Sequence, residues 1–163
     1  TKGAQELAER FGIDQKEVTL AALLHDYAKD LEASSLQSYI ESYGLAKELL
    51  NYNFELWHGP VGAELVREKL SLTNERILNA IRYHTTGRAG MDQVSLAVFV
   101  ADYIEPARSF PGVDLVRKQA EEDLELAARQ ALKNTISFLL SKDVSIHPDT
   151  FLAYNDLTNK MGV

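Results

Sequence analysis

The sequence predicts an all-α protein, and three observations carry that prediction. Apolar residues recur mostly at spacings of three and four, which is the period of an α-helix. No segment combines strict apolar–polar alternation with the β-branched enrichment of a strand. No Asn-Gly or Asp-Gly pair marks a hairpin turn. The chain is therefore expected to form a single-domain helical bundle.

Capping residues and apolar stripes define the expected helices one after another. Asp14 with Glu17 resembles a capping box, Gly12 and Gly44 are helix stops, and Thr73 is the expected N-cap of a later helix. The helices are expected at 1–10, 14–25, 35–43, 45–50, 58–70, 75–84, 92–105, 114–140 and 148–161, with a loop at 106–112. The charged residues Arg117 and Lys118, and those at 121–123, are expected on the solvated face of the long helix.

Length and charge limit the class of protein. A chain of 163 residues fits one domain over 1–163. With 17 basic and 24 acidic residues the net charge is −7, so a nucleic acid polymer would be repelled, whereas a small phosphorylated ligand in a local pocket is still allowed. No apolar run is long enough to span a membrane. The chain begins at Thr1 and not at Met, so we expect it to start inside the first helix of a longer one.

The absence of cysteine narrows the chemistry. It excludes disulfides, thiolate zinc sites and cysteine nucleophiles. It fits a reducing compartment, and the cytoplasm is the expected location.

Histidines and acids interrupt the apolar faces of four different expected helices. They are His25 with Asp26, then His58, His84 and Asp102. Packed helices can point such side chains into one cavity. Imidazole and carboxylate without thiolate suit a divalent iron, manganese, cobalt, nickel or zinc ion. Taken one at a time, each histidine is more often a helix cap or a hydrogen-bonded core residue, and Asp102 an ion-pair partner. The fourth histidine, His147, does not interrupt an apolar helix face. It is expected in a turn beside Pro148 and is given no role.

The sequence segments around these residues resemble those of the HD-domain metal-dependent phosphohydrolases. Among these, they are most similar to the YqeK-type bacterial group of symmetrical diadenosine tetraphosphate hydrolases. The resemblance covers essentially the whole chain. The segments that carry it are HDYAK at 25–29, ELWHGPVG at 55–62, IRYHTTGR at 81–88, VADYIEP at 100–106, FPGVD at 110–114 and PDTF at 148–151.

The resemblance implies a centre with two divalent metal ions, with iron as the first expectation. By position, His25 and Asp102 would hold one metal ion, His58 and His84 the other, and Asp26 would bridge them. The motif of the family starts with an earlier histidine, which would fall before Thr1. Either the sequence is trimmed or this chain lacks one ligand.

The implied reaction is the symmetrical cleavage of diadenosine tetraphosphate to two ADP. Two metal ions that share a hydroxide would provide the nucleophile near neutral pH. Asp26 and Lys29 are the expected catalytic residues. Lys29 lies on the helix face of His25 and Asp26, where it would also contact phosphate, although a solvated lysine near a helix C-terminus would look the same in the sequence.

Further substrate contacts are expected from loops next to the ligands. Thr85 and Arg88 lie in a Gly-containing loop after His84, where backbone and guanidinium could approach a phosphate, and Arg108 follows Asp102. The alternative for both arginines is an ordinary surface position. Tyr83 and Tyr103 are candidates for stacking on a nucleobase, and the alternative is simple packing.

Two alternatives to this function stay open. One is an HD phosphohydrolase that acts on dNTPs, cyclic nucleotides or guanosine alarmones. The other is a catalytically silent helical module that binds a nucleotide or a protein and uses the histidines structurally. The expected partner is a small-molecule nucleotide, with no nucleic acid polymer and no membrane, and a homodimer is the expected assembly if an apolar stripe is exposed.

Overall fold

The computed structural model describes residues 1–162, and in that part of the chain all regular secondary structure is helical, with no strand. The predicted all-α fold is confirmed. None of its helices has the length and apolar character that crossing a membrane requires. The helices are α1 Lys2–Phe11, α2 Gln15–Leu24, α3 Ala33–Ser42, α4 His58–Leu70, α5 Glu75–Arg82, α6 Gln93–Tyr103, α7 Val113–Gln119, α8 Leu124–Ser141 and α9 Pro148–Lys160, with short 3-10 helices at Lys47–Asn51 and Phe54–Leu56.

Helix α6 is the centre of the main hydrophobic core. Every residue from Val94 to Val100 is buried, and a helix that is apolar all round can be satisfied only inside a protein. α6 packs against α1, α2, α5 and α8, whose apolar faces surround it. Asp102 is on the last turn of α6, so the packing of the core fixes where this carboxylate emerges.

A second, smaller core lies under α3 and α4. It is built from Leu36 and Ile40 of α3, Val61 and Leu65 of α4, and Leu49 of the first 3-10 helix. The indole Nε1 of Trp57 donates a hydrogen bond to the carbonyl oxygen of Leu49 at 2.9 Å. This contact holds the segment directly before His58 against the smaller core.

The prediction of a single long helix at 114–140 is wrong. The structure has two helices there, α7 and α8, separated at residues 120–123. Asp123 has an extended backbone (φ −151°), and its carboxylate accepts a hydrogen bond from the amide of Leu126 at 3.0 Å. An aspartate that caps a new helix competes with continuation of the old one. The apolar stripe runs on through the break, so spacing alone hides it.

Other boundaries differ by a few residues. The N-cap of α5 is Asn74 and not Thr73, because the Asn74 side chain accepts hydrogen bonds from the amides of Arg76 and Ile77 at 2.9 and 3.2 Å. The helix expected at 45–50 is the 3-10 helix Lys47–Asn51, and the helix expected at 75–84 ends at Arg82. The last difference places His84 beyond the end of α5.

Candidate metal centre

Two of the histidines lie just beyond helix C-termini, and their rings are anchored in the same way. His25 Nδ1 donates to the carbonyl oxygen of Ala22 at 2.5 Å, and His84 Nδ1 donates to that of Ile81 at 2.7 Å. Carbonyls in the last turn of a helix lack an intrahelical partner, so they are available for such bonds. This orientation leaves the Nε2 of each ring directed at the cluster, where it can carry a proton or, in the neutral ring, bind a metal ion.

The third histidine approaches from another helix. His58 is the first residue of α4, and its Nε2 lies 3.0 Å from Nε2 of His84 and 3.1 Å from Oδ1 of Asp26. His84 Nε2 lies 3.4 Å from the same carboxylate oxygen. Both imidazoles are buried. The packing of α4 against α5 therefore brings two ring nitrogens and one carboxylate oxygen together.

The other oxygen of Asp26 faces a different imidazole. His25 Nε2 lies 3.3 Å from Asp26 Oδ2 and 3.5 Å from Oδ1 of Asp102. Asp26 thus presents one oxygen to His58 and His84 and the other to His25. The five side chains expected from the sequence to form one centre do converge.

Within residues 1–162, their ligand atoms form two groups in which all atoms lie within 4.8 Å of one another. One group is His25, His84 and Asp102, and the other is Asp26, His58 and His84. His84 is thus near both groups, whereas the sequence resemblance assigned it to only one. The difference arises because the His25 and His84 rings meet edge to face, with centroids 4.9 Å apart.

The electrostatics of the cluster favour a positive charge. Burial lowers the pKa of His25, but hydrogen bonds to Asp102 and Asp26 outweigh it and raise that pKa to about 10. Burial raises the pKa of Asp26, yet hydrogen bonds from His25, His58 and His84 hold it well below its usual range. Burial likewise opposes ionisation of Asp102, and the bond from His25 prevails and lowers its pKa.

The donor set fits divalent metal ions. It offers three imidazole nitrogens and the carboxylates of two aspartates, with no thiolate, which are donors that first-row divalent ions accept. The rings of His25 and His84 are oriented by backbone carbonyls, as is usual for metal-binding histidines. The converging imidazole nitrogens and carboxylate oxygens provide a place where a divalent cation would be stabilised.

Two basic side chains flank the cluster in a cavity of about 650 Å³. Lys29 Nζ lies 3.7 Å from Oδ2 of Asp26, and Arg108 Nη2 lies 3.4 Å from Oδ1 of Asp102. Both side chains line the cavity and are largely exposed. Each carboxylate of the cluster therefore has an exposed basic side chain next to it.

The remaining expected substrate contacts divide into two pairs. Thr85 and Tyr103 line the cavity, and the Thr85 hydroxyl is buried without a hydrogen-bond partner among the described residues. Asn134 donates a hydrogen bond to the Tyr103 hydroxyl at 3.2 Å. Tyr83 and Arg88 are outside the lining, and the Arg88 guanidinium lies 4.9 Å from the centre of the Tyr83 ring.

Sequence reasoning missed one residue that organises the cavity. Arg117 was expected on a solvated helix face, but its guanidinium donates to the carbonyl oxygens of Ile104, Glu105 and Arg108 at 3.3, 3.1 and 2.7 Å. These bonds fix the loop that carries Arg108. The only signal in the sequence is a basic residue on the helix that follows this loop, and such residues usually face solvent.

A helical bundle with a His/Asp cluster at its helix ends is the arrangement of an HD-domain protein. The HD domain family matches residues 1–107, and the chain belongs to that family. It is a hydrolase of this family, and the predicted fold and enzyme class are confirmed.

His147, which was given no role, caps α9 by accepting a hydrogen bond from the amide of Asp149 at 3.0 Å.

Two curated relatives are similar over nearly the whole chain, and both are named "Bis(5'-nucleosyl)-tetraphosphatase, symmetrical". The protein from Bacillus subtilis (strain 168) is 51% identical over 156 residues, which are 96% of this chain and 84% of the relative. The protein from Halalkalibacterium halodurans is 46% identical over 154 residues, 94% of this chain and 82% of the relative. These identities place the chain close to that group.

A solved structure has the same fold. It is a predicted HD superfamily hydrolase involved in NAD metabolism from Clostridium acetobutylicum, with a TM-score of 0.92 and 37% sequence identity. The match covers 98% of this chain and 85% of the other.

Proposed function

We propose that this protein hydrolyses dinucleoside tetraphosphates and cuts diadenosine tetraphosphate symmetrically to two ADP. The observation that carries the proposal is the His/Asp cluster, in which Asp26 offers one oxygen to His58 and His84 and the other to His25. The names of the curated relatives supply the substrate class. Confinement to the cytoplasm and a homodimer remain predictions.

The cluster is the proposed site of two divalent metal ions, with iron as the proposed metal. His25 and Asp102 would hold one ion, His58 and His84 the other, and Asp26 would contact both. Such ions lower the pKa of water and offset the negative charge of phosphate oxygens.

The side chains around the cluster would bind and orient the tetraphosphate. Lys29 and Arg108 extend into the cavity with exposed cationic ends, which suits a polyanionic substrate in an otherwise acidic protein. The buried Thr85 hydroxyl has no partner among the described residues, so a phosphate oxygen could accept its hydrogen bond. Lys29 lies close enough to Asp26 to act at the reacting phosphate.

We also infer that the chain is one domain, although the family match ends at residue 107. Val116 of α7, Leu132 of α8 and Leu157 of α9 belong to the same hydrophobic cluster as α1, α5 and α6. α8 further contributes part of the cavity wall.

The test is to incubate metal-replete protein with diadenosine tetraphosphate and to identify the products. Two ADP are expected. AMP with ATP would overturn the symmetrical cut, and no turnover of this or other nucleotides would favour the silent binding module. Metal analysis of the purified protein adds an independent readout, because a silent module that uses its histidines structurally should contain no stoichiometric metal.

A further inference from the structure

The cavity next to the cluster has two apolar walls that the metal centre does not use. One, the 3-10 wall, consists of Leu36, Phe54 and Leu56. The other, the α8 wall, consists of Leu132, Phe138 and Leu139. Each wall combines a buried leucine, Leu36 or Leu132, with an exposed phenylalanine, since Phe54 is 49% and Phe138 59% exposed.

The two walls belong to different parts of the protein. Leu36 and Leu56 are part of the smaller core under α3 and α4, whereas Leu132 is part of the main core. Phe54 precedes His58 on the segment that leads into α4, and Phe138 is on α8, which packs against the helix that carries Asp102. The two phenylalanines therefore come from separate elements, one on the segment before His58 and one on a helix packed against α6.

Exposed phenylalanines in the wall of a charged cavity need an explanation. Ligand sites are typically lined by apolar and aromatic side chains with a few polar groups that fix orientation. Here both apolar walls line the same cavity as the His/Asp cluster and as the basic side chains of Lys29 and Arg108. The cavity therefore suits a ligand that combines a polyanionic group with flat, apolar groups.

We propose that Phe54 and Phe138 form two nucleobase subsites, one for each adenine of the dinucleotide, with the tetraphosphate lying across the cluster. The proposal rests on the proposed function and deepens it. Aromatic side chains stack on any base, because every base has a π-face. Two similar anchors, one in each wall, would hold the dinucleotide by both bases and present the middle of the tetraphosphate to the reacting groups, and cleavage at the middle leaves two identical halves.

The first test compares Phe54→Ala and Phe138→Ala with Phe151→Ala. Phe151 is similarly exposed, at 53%, but is not part of the cavity lining. Each wall variant should raise KM for diadenosine tetraphosphate about tenfold or more, in line with the contribution of one stacked base, with a smaller change in kcat. Phe138→Tyr, which keeps the ring, should retain the original KM. Unchanged KM in both alanine variants, or an equal rise in Phe151→Ala, would overturn the proposal.

The second test needs no turnover and so separates this proposal from the proposed function. Trp57 is the single tryptophan of the chain, and its ring centroid lies 6.4 Å from that of Phe54. ADP added to the metal-replete protein should quench Trp57 fluorescence, whereas inorganic pyrophosphate should not. Base-dependent quenching that Phe54→Ala abolishes supports the subsite even if diadenosine tetraphosphate is not cleaved. Turnover of that substrate with no base-dependent quenching rejects the subsite at Phe54 and leaves the proposed function standing.

Discussion

Gly59 of α4 lies in such close contact with the C-terminal end of α5 that a β-carbon there would come within 2.8 Å of the carbonyl oxygen of Arg82. It would also come within 3.2 Å of the carbonyl oxygen of Ile81, which accepts the hydrogen bond from His84 Nδ1. The absence of a side chain at Gly59 is thus what lets His58 and His84 approach each other.

The first prediction concerns this contact. Gly59→Ala should push α4 away from α5, separate the two Nε2 atoms and destabilise the fold by about 1–3 kcal/mol, the usual cost of overpacking. Metal content should fall about tenfold or more, as when the support of a ligand is lost. Metal analysis and denaturant unfolding measure the two effects.

Gly62→Ala is the matched control on the same helix. A β-carbon there would meet its neighbours, including Ala28 and Ile81, at 3.7 Å, which is ordinary van der Waals contact. Its metal content should match that of the wild type. If Gly59→Ala also kept its metal, the close approach would not position His58.

The second prediction concerns Asp26. Asp26→Asn removes the negative charge that faces three imidazoles, so the variant should bind less metal and lose more than about 100-fold in kcat. Its helical circular dichroism should be retained, because Asp26 lies outside the α-helices. Asp30→Asn, an exposed neighbour, serves as the control and should keep its metal. Retained activity in Asp26→Asn would remove Asp26 from the centre.

The third prediction concerns the loop that carries Arg108. Arg117→Ala removes the hydrogen bonds to the carbonyl oxygens of three loop residues, so the loop should become more mobile and KM for the nucleotide should rise. Stability should fall by about 1 kcal/mol, as expected for partly exposed hydrogen bonds. Lys118→Ala, which removes one positive charge from an exposed neighbour, is the control. Comparing KM of the two variants distinguishes loss of loop order from loss of one positive charge. Equal KM values in the two variants would contradict the role of Arg117.

The fourth prediction concerns acid stability. Glu17 of α2 accepts hydrogen bonds from Arg76 Nε at 2.8 Å and from Asn74 Nδ2 at 3.2 Å. The bonds from Arg76 outweigh burial and lower the pKa of Glu17 below its ordinary 4.5. A carboxyl with a lowered pKa stabilises the fold fully above the pKa of the unfolded chain, and this contribution is lost as pH falls through the folded value.

The difference in thermal midpoint between wild type and Glu17→Gln should therefore be largest near pH 7 and should shrink below about pH 4. Glu9→Gln, an exposed acid on α1, controls for the general loss of charge. A difference in thermal midpoint that stays constant over this range would show that protonation of Glu17 does not affect the stability of the fold.

The sequence was sufficient, within a few residues, for α1 to α6 and α9, and for the residues of the cluster. Helical spacing reveals which faces are buried, and polar residues that interrupt such faces stand out, as His25 and Asp102 do. The break at Asp123 was hidden, because the apolar stripe continues across it and no glycine or proline marks it. The cap at Asn74 was misplaced by one residue, since Thr73 also belongs to the residue types that favour the N-cap position.

Relations between distant parts of the chain could not be predicted. Nothing in the local sequence indicates that Gly59 meets the Arg82 carbonyl or that Arg117 reaches back to Ile104. The position of His84 near both ligand groups depends on how α2 and α5 pack, which spacing does not specify.

The Nδ1 bonds of His25 and His84 have a consequence for the helix ends themselves. Terminal turns of helices ordinarily unwind and rewind at little cost. Here unwinding of the last turn of α2 would release the Ala22 carbonyl from the His25 ring, and unwinding of α5 would do the same at Ile81. Each event would turn an imidazole away from its carboxylate. Fraying at these two termini is therefore incompatible with an assembled centre, and a cation bound there would keep both helices wound to their last residues.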